Sequence, residues 1–503
     1  MIPTLIIRAD ATVEIGTGHV MRCLALAQGW NDRGGEALFI SHCESDALRD
    51  RIYKEGFRFT FLDRTCPDAS DLENTLDIIG SEKTGSVKWV VLDGYHFTSE
   101  YQQAIRDGGH RLVVMDDMNH LPVYHADILL NQNLHALNLK YRCDSETIML
   151  LGSRYVLLRR EFLEYGNFRR HIPDKAQKIL VTLGGSDPEN VTLRIIDALK
   201  TLDDSEIDVK VVVGPANPHK EMLSNALKAA RFPNELLINP YNIPKLMAWA
   251  DMAISAGGTT CWESMFMGLP SLVVILAVNQ FGVVEHLTEE DLIINLGHCH
   301  ELTLGRSSSV IEETINGYET RSRLSKNSTS LVDGLGLNRV LNIISPTEIF
   351  LRPVKLEDCR RVWRWANDPS VRSISFSKAF IPWNEHLRWF MKRKKLPFFY
   401  IGQNSEGMPL GQARIDQKND ELVISVMIDE AYRKQGYGAK LIKSACDEVF
   451  KSLGSQEIHA YIESGNDNSC KAFIIAGFHE APFQRNNSNG IRHLILTRSA
   501  TDT

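Results

Sequence analysis

Two series of short apolar runs alternate with amphipathic stretches, and this alternation limits the possible folds of the chain more than any other feature of its sequence. In the first third, TLIIRAD is followed by HVMRCLALAQGWNDRG, then EALFIS, then DALRDRIYKEGF, and later come KWVVLDGY and RLVVMDD. Short continuous apolar runs suit buried strands, whereas the stretches between them carry apolar residues at helical spacing. Strand, helix and strand repeated in this way predict a parallel sheet covered by helices. A second series of the same class begins near Lys178 with KILVTLGGSDP, VTLRIIDALKTL, DVKVVVGP, HKEMLSNALKAA, ELLINP, IPKLMAWA, DMAISAGG and SLVVIL.

A third unit of different character starts near Phe350, after a polar helical stretch and the short connector SPTEIF. It runs from FLRPVKLEDCRRVWRWANDPSVR through the strand-like FFYIGQ, GQARID and LVISVMID to YRKQGYGAKLIKSACDEVF, then IHAYIESGNDNSCKAFIIAGFHE and RHLILT. Hairpin-forming strands followed by a helix predict a mixed α+β domain. The 503 residues agree with roughly three domains at about 150 residues each. The expected fold is therefore α/β, with two parallel-sheet domains over 1–165 and 166–344, followed by an α+β domain over 348–498.

The net charge of -7 argues against a dedicated nucleic-acid binder, which needs a basic stripe. Nine cysteines, at 23, 43, 66, 143, 261, 299, 359, 446 and 470, form no C-x-x-C pair and no regular spacing, so neither a zinc site nor a disulfide framework is expected. No apolar stretch approaches the roughly 20 residues of a membrane span, and the start of the chain lacks the pattern of an export signal. A cytoplasmic location without integral membrane association is expected.

Three glycine-rich turns each follow an apolar strand and precede a helical segment. In IRADATVEIGTGH, Gly16 and Gly18 permit close backbone approach, and the amides opening the next helix can face an anion. LGGSDPEN, with Gly185 and Ser186, and SAGGTTCWE, with Gly257, Gly258 and Thr259, repeat the arrangement. Glu263, one helical turn into the last segment, can accept both hydroxyls of a ribose. Two α/β units in tandem leave a cleft between them, and ligands gather at the carboxyl ends of their strands.

The set IRADATVEIGTGHVMRCLALA, VVLDGY, LGGSDPEN, SAGGTTCWE and LAVNQ resembles the UDP-sugar hydrolases of pseudaminic acid biosynthesis, over most of residues 1 to about 340. The resemblance implies a GT-B arrangement of two Rossmann-like domains. It also implies removal of UDP from UDP-2,4-diacetamido-2,4,6-trideoxy-β-L-altropyranose, with water attacking the anomeric carbon and no metal. His19 matches the family's catalytic histidine, and an imidazole titrating near neutrality suits a general base. Asp10 is expected to orient that imidazole or to bind sugar. Tyr95 and Asn279 match positions that the resemblance places against the sugar, and Gln280 is expected to bind substrate.

In YRKQGYGAKL, the spacing Arg433-x-x-Gly436-x-Gly438 falls between a strand and a helix, where successive backbone amides suit a pyrophosphate. With Asn466-x-x-Ser469-x-x-x-Phe473 downstream, the segment resembles the GNAT acetyltransferases, over roughly 348–498. The resemblance implies acetyl-CoA as co-substrate, an arm contact from Asn466, and carbonyl polarisation by backbone amides near Val426 to Ile428. Many relatives place a tyrosine acid where this chain has Phe473, which has no ionisable group; Tyr461 and Tyr437 are available hydroxyls. Trp363, Trp365, Trp383 and Trp389 divide between core and acceptor pocket, and MKRKK at 391–395 reads as a solvated charge run.

Together the resemblances imply a fusion in which one part acetylates the 4-amino group of a UDP-linked aminosugar and the other cleaves UDP from the product. UDP-aminosugars are the expected partners. Two alternatives stay open at this point: a tandem enzyme for another diacetamido sugar, or a hydrolase whose GNAT-like module only binds.

Overall fold

The computed structural model describes residues 4–82, 88–185, 187–202, 206–215, 217–345, 348–405, 407–418, 421–433, 436–453, 457–463, 465–481 and 491–497. The chain forms two compact units, Pro3–Val340 and Leu341–Thr503.

The first unit contains two parallel sheets. Strands β1 (Leu5–Ala9), β2 (Ala37–Ser41), β3 (Arg58–Phe61), β4 (Trp89–Asp93), β5 (Arg111–Met115), β6 (Ile128–Asn131) and β7 (Ile148–Leu151) lie in the order β3-β2-β1-β4-β5-β6-β7. Strands β8 (Lys178–Thr182), β9 (Asp208–Val213), β10 (Asn234–Ile238), β11 (Met252–Ala256), β12 (Ser271–Ile275) and β13 (Ile294–His298) lie in the order β10-β9-β8-β11-β12-β13. Every pairing in both sheets is parallel. Helices cover both faces of such sheets, so the central strands are buried along their whole length, as in β1, β4, β11 and β12.

Alternate residues of one strand serve opposite cores because successive side chains point to opposite faces. In β8, Ile179 and Val181 pack with Val191, Ile195, Leu199, Ile311 and Ile315, whereas Leu180 packs with Trp262, Met265 and Val284 on the other face. Each such fully buried aliphatic side chain contributes about 1.5–3 kcal/mol relative to exposure.

Both sheets reverse their strand order at one point, between β1 and β4 in the first and between β8 and β11 in the second. Loops leaving the carboxyl ends of those strand pairs diverge to opposite faces and leave a crevice. The segments after β1, β4, β8 and β11 are 10–17, 94–98, 183–190 and 257–258, and these carry IRADATVEIGTGH, LDGY and the two later glycine turns.

The second unit holds a mixed sheet of β14 (Phe350–Pro353), β15 (Phe399–Gln403), β16 (Pro409–Lys418), β17 (Glu421–Ile428), β18 (Glu457–Glu463), β19 (His479–Glu480) and β20 (Ile491–Thr497), in the order β14-β15-β16-β17-β18-β20-β19. All its pairings are antiparallel except β17 with β18, which are parallel and matched only at Leu422 with Ile458 and Val423 with His459. Beyond those two residues the strands part, and among the described residues the rest of β17 is paired on one side only, with β16. The expected class, α/β tandem followed by α+β, is what the structure contains.

Candidate active sites

His19 is the second residue of the helix Gly18–Asp32, which starts at the carboxyl end of β1. Gly16 stands before it with φ +76, a conformation a side chain rarely tolerates, and this turn delivers the imidazole to the crevice. Its Nδ1 lies 2.6 Å from Oδ1 of Asp93, the last residue of the neighbouring strand β4. Arg22, one turn along the same helix, donates to both Asp93 oxygens, from Nε at 2.6 Å and Nη2 at 2.7 Å. Its Nη1 reaches the two oxygens of Asp117 at 2.8 and 2.9 Å. Asp117 also accepts from the Tyr95 hydroxyl at 2.5 Å and the Asn133 amide at 2.6 Å.

Burial alone would raise the Asp93 carboxyl, but Arg22 and His19 outweigh it and hold the group well below the usual carboxylate range. Asp93 is therefore a permanent anion that accepts the Nδ1 proton and leaves Nε2 of His19 as the basic atom. Burial and Asp117 push the Tyr95 phenol far above its ordinary value, so it acts as a neutral hydrogen-bonding group. Its ring stands edge-on to His19 at 4.8 Å between centroids.

The second sheet meets this cluster. Asn279, in the helix Val278–Glu289, donates from Nδ2 to the Tyr95 hydroxyl at 3.1 Å. A Cβ on Gly185 would lie 3.4 Å from Oγ1 of Thr17, so the glycine turns after β1 and β8 face each other closely. A Cβ on Gly214, after β9, would lie 2.0 Å from the Gly185 carbonyl oxygen, which fixes the path of the β8 turn. Gly258 precedes the helix Thr259–Phe266 with no atom within 4 Å of a built Cβ, as is also true of Gly18, whereas Gly257 is packed against Val284 and Gln280. Ser186 lies outside the described residues.

Two further expected residues have defined partners. Glu263 is mostly buried and accepts from Arg159 Nη2 at 2.8 Å and Nε at 3.2 Å; burial raises its carboxyl and Arg159 opposes the rise. Gln280 accepts from the Leu276 amide at 2.9 Å, which holds the turn after β12.

Asp10 does not orient the imidazole. It is fully buried and accepts from Arg8, Thr65, the His42 amide at 2.6 Å and His96 Nε2 at 2.8 Å. Those contacts engage both of its oxygens inside the first sheet's core, so its position at the end of β1 is structural, and Asp93 holds His19 instead. Arg22, Asp93, Asp117 and Asn133 escaped the sequence reading. Their signal was an acid closing each of the apolar runs VVLD and VVMDD, and an arginine one helical turn after His19.

In the other unit, among the described residues, Val426 and Ile428 of β17 have no strand partner on the side of β18. Gly436, with φ +86 and nothing within 4 Å of a built Cβ, immediately precedes the helix Tyr437–Leu453. Gly438 sits against Ala472 at 3.5 Å from a built Cβ. Arg433 is held by Asp368 at 2.8 Å, Ser370 Oγ at 2.5 Å and the Ile428 carbonyl at 2.9 Å. These bonds hold the Arg433 guanidinium against the Asp368–Ser370 segment and the end of β17. Asn466 caps its own helix by accepting from the Ser469 amide at 3.1 Å. Phe473 is buried edge-on to Phe478. The Tyr461 hydroxyl donates to Glu421 at 2.7 Å, and burial followed by Glu421 pushes its phenol up to about 12. Trp365 belongs to the core and donates to Asp429 at 2.8 Å, and Trp389 packs beside it, whereas Trp363 and Trp383 meet edge-on nearer the surface.

Residues 348–479 match the acetyltransferase (GNAT) domain model, and residues 179–287 match that of the glycosyltransferase family 28 C-terminal domain. The chain thus joins two parallel-sheet domains, the second similar to the glycosyltransferase family 28 C-terminal domain, to a domain similar to the GNAT acetyltransferases. An uncharacterized protein of Methanocaldococcus jannaschii is 25% identical over 95% of this chain and 97% of its own length. The spore coat polysaccharide biosynthesis protein SpsG of Bacillus subtilis is 25% identical over 67% of this chain and 96% of its own. The UDP-2,4-diacetamido-2,4,6-trideoxy-β-L-altropyranose hydrolase of Campylobacter jejuni is 23% identical over 57% of this chain and 96% of its own. The expected pairing of a hydrolase-like part with an acetyltransferase part is borne out by these similarities. Among the described residues, no helix is long and apolar enough to cross a membrane.

Proposed function

We propose that the chain is a bifunctional nucleotide-sugar enzyme. Its first unit hydrolyses UDP-2,4-diacetamido-2,4,6-trideoxy-β-L-altropyranose to UDP and the free sugar, and its second acetylates the 4-amino group of the UDP-linked precursor from acetyl-CoA. The observation that carries the hydrolase reading is the His19–Asp93 pair at the switch point of the first sheet, facing the glycine turns at the switch point of the second.

Asp93 accepts the Nδ1 proton, so Nε2 takes a proton from water as the oxygen attacks the anomeric carbon; the C1–O bond breaks and UDP carries away its electrons. Such a positioned base contributes typically 10²–10⁴-fold. Helix N-terminal amides at Gly18 and Thr259 stabilise the charge that develops on the departing diphosphate. Tyr95 and Asn279, hydrogen-bonded to each other, present a hydroxyl and an amide to the acetamido groups. The Glu263 carboxylate accepts from the ribose.

In the second unit, the parted edges of β17 and β18 take the pantetheine arm, and unpaired amides of β17 polarise the thioester carbonyl. The turn at Gly436 receives the pyrophosphate through its backbone. The neutral amine attacks the carbonyl carbon, the C–S bond breaks, and the thiolate leaves as coenzyme A after protonation.

One experiment tests both halves. The purified chain is incubated with the UDP-4-amino-sugar and acetyl-CoA in ¹⁸O-water, and products are identified by mass and NMR. The expected products are coenzyme A, unlabelled UDP, and a diacetamido sugar carrying one ¹⁸O at C1. Label in UDP means attack at phosphorus and overturns the role given to His19. A monoacetylated free sugar overturns the role of the acetyltransferase unit.

A further inference from the structure

Among the described residues, one group of three potential metal ligands brings its donor atoms within 4.8 Å of one another: Glu189, Cys299 and His300. Neither reaction proposed above uses any of them. Their sequence spacing hides the group, because the cysteine has no C-x-x-C neighbour and the glutamate lies more than a hundred residues upstream.

The local structure explains why they meet. Glu189 stands in the turn between β8 and the helix Val191–Lys200. That helix is capped by Asp187, whose oxygens accept from the Val191 amide at 2.8 Å and the Thr192 amide at 2.9 Å, so capping does not occupy Glu189. Cys299 and His300 follow directly on β13. Arg194, on the same Val191 helix, donates to the Cys299 carbonyl at 2.7 Å and ties the two turns together. The thiol is buried at 2% exposure, whereas the His300 side chain is 73% exposed.

Distances distinguish the kind of ion. Cys299 Sγ lies 3.5 Å from Glu189 Oε2, and His300 Nδ1 lies 3.4 Å from the same oxygen. A tetrahedral zinc ion with bonds of about 2.3 Å to sulfur and about 2.0–2.1 Å to nitrogen and oxygen needs S···O and N···O edges of about 3.5 and about 3.3 Å. Both edges match. A set of one sulfur, one nitrogen and one oxygen favours zinc over magnesium or calcium, which prefer oxygen alone.

We propose that Glu189, Cys299 and His300 bind one zinc ion, with the fourth position open to water. On binding, the thiol proton passes to solvent, and thiolate plus carboxylate balance the two charges of the ion. The ion staples the glycine turn after β8 to the turn after β13, at the carboxyl edge of the second sheet. It stands apart from the hydrolytic and acetyl-transfer steps, so the inference does not depend on the substrate.

The untagged full-length protein, stripped with chelator, is titrated with Co²⁺ as a spectroscopic surrogate. The expected result is a thiolate-to-cobalt charge-transfer band that saturates at about one equivalent and is abolished by added Zn²⁺. Cys299→Ser should remove the band, and Cys143→Ser should leave it. His300→Ala removes an exposed side chain, cannot disturb the core, and should weaken cobalt binding at least tenfold. Absence of the band with stoichiometric cobalt, its survival in Cys299→Ser, or unchanged affinity in His300→Ala would overturn the proposal, leaving the three groups as an ordinary hydrogen-bonded cluster.

Discussion

At the scale of single residues, the hydrolytic cluster is a chain of charges in which each member depends on its neighbours. Asp93 is shared by His19 and Arg22, and Arg22 in turn by Asp93 and Asp117. His19→Ala should abolish UDP release while acetyl transfer continues, measured as separate rates of UDP and coenzyme A production. Equal loss of both would remove His19 from its assigned step. Asp93→Asn keeps the shape but offers Nδ1 no anion, so kcat for UDP release should fall by roughly 10²–10⁴-fold with little change in KM. Glu263→Ala leaves Arg159 its other partner, Glu161 at 2.8 Å. It should raise KM for the UDP-sugar more than it lowers kcat, because a ribose contact is made equally in ground and transition states; a pure kcat effect would make Glu263 part of the chemistry.

At the scale of elements, the site is built from strand ends and the turns that leave them. The turn after β8 has no freedom to shift on the side where β9 ends, since a Cβ on Gly214 would overlap the Gly185 carbonyl. Backbone cannot yield as a flexible side chain does, and overpacking of this kind costs about 1–3 kcal/mol. Gly214→Ala should therefore displace the β8 turn and raise KM for the UDP-sugar by roughly tenfold, taking about 1.4 kcal/mol of binding as one decade, with the acetyltransferase rate unaffected. Unchanged KM in steady-state assays would show that the turn does not touch substrate. The parting of β17 from β18 after two paired residues is the corresponding feature of the second unit, and it is the edge at which acetyl-CoA is proposed to bind.

At the scale of the whole molecule, the division into Pro3–Val340 and Leu341–Thr503 gives each unit its own sheets and cores. We propose that each folds and acts alone. A fragment ending at about residue 344, after the helix Gly336–Ile344, should hydrolyse the diacetylated UDP-sugar at the full-length rate, and the complementary fragment should bind acetyl-CoA by calorimetry. In the full-length chain, Gly436→Val imposes a β-branched side chain on a left-handed backbone, which should distort that turn and collapse acetyl transfer while hydrolysis of the diacetylated UDP-sugar persists. Insolubility of both fragments would show that the units depend on each other for stability.

The sequence by itself determined the parallel sheets, the mixed third domain and the glycine turns, because period, run length and turn chemistry are local properties that adjacent residues carry. It also singled out His19, which opens a helix directly after a glycine turn. Only the tertiary structure decided which acid serves that histidine. Asp10 and Asp93 both end apolar strands, and choosing between them requires knowing that β1 lies beside β4 and that Arg8, Thr65, His42 and His96 already surround Asp10. The same holds for Arg433, whose charge is taken up by Asp368 from an earlier segment of the fold, and for Glu189, which meets Cys299 and His300 only because two distant turns emerge at one end of a sheet. Contacts between residues far apart in the chain are set by strand order and side-chain direction, and neither is written in any short stretch of sequence.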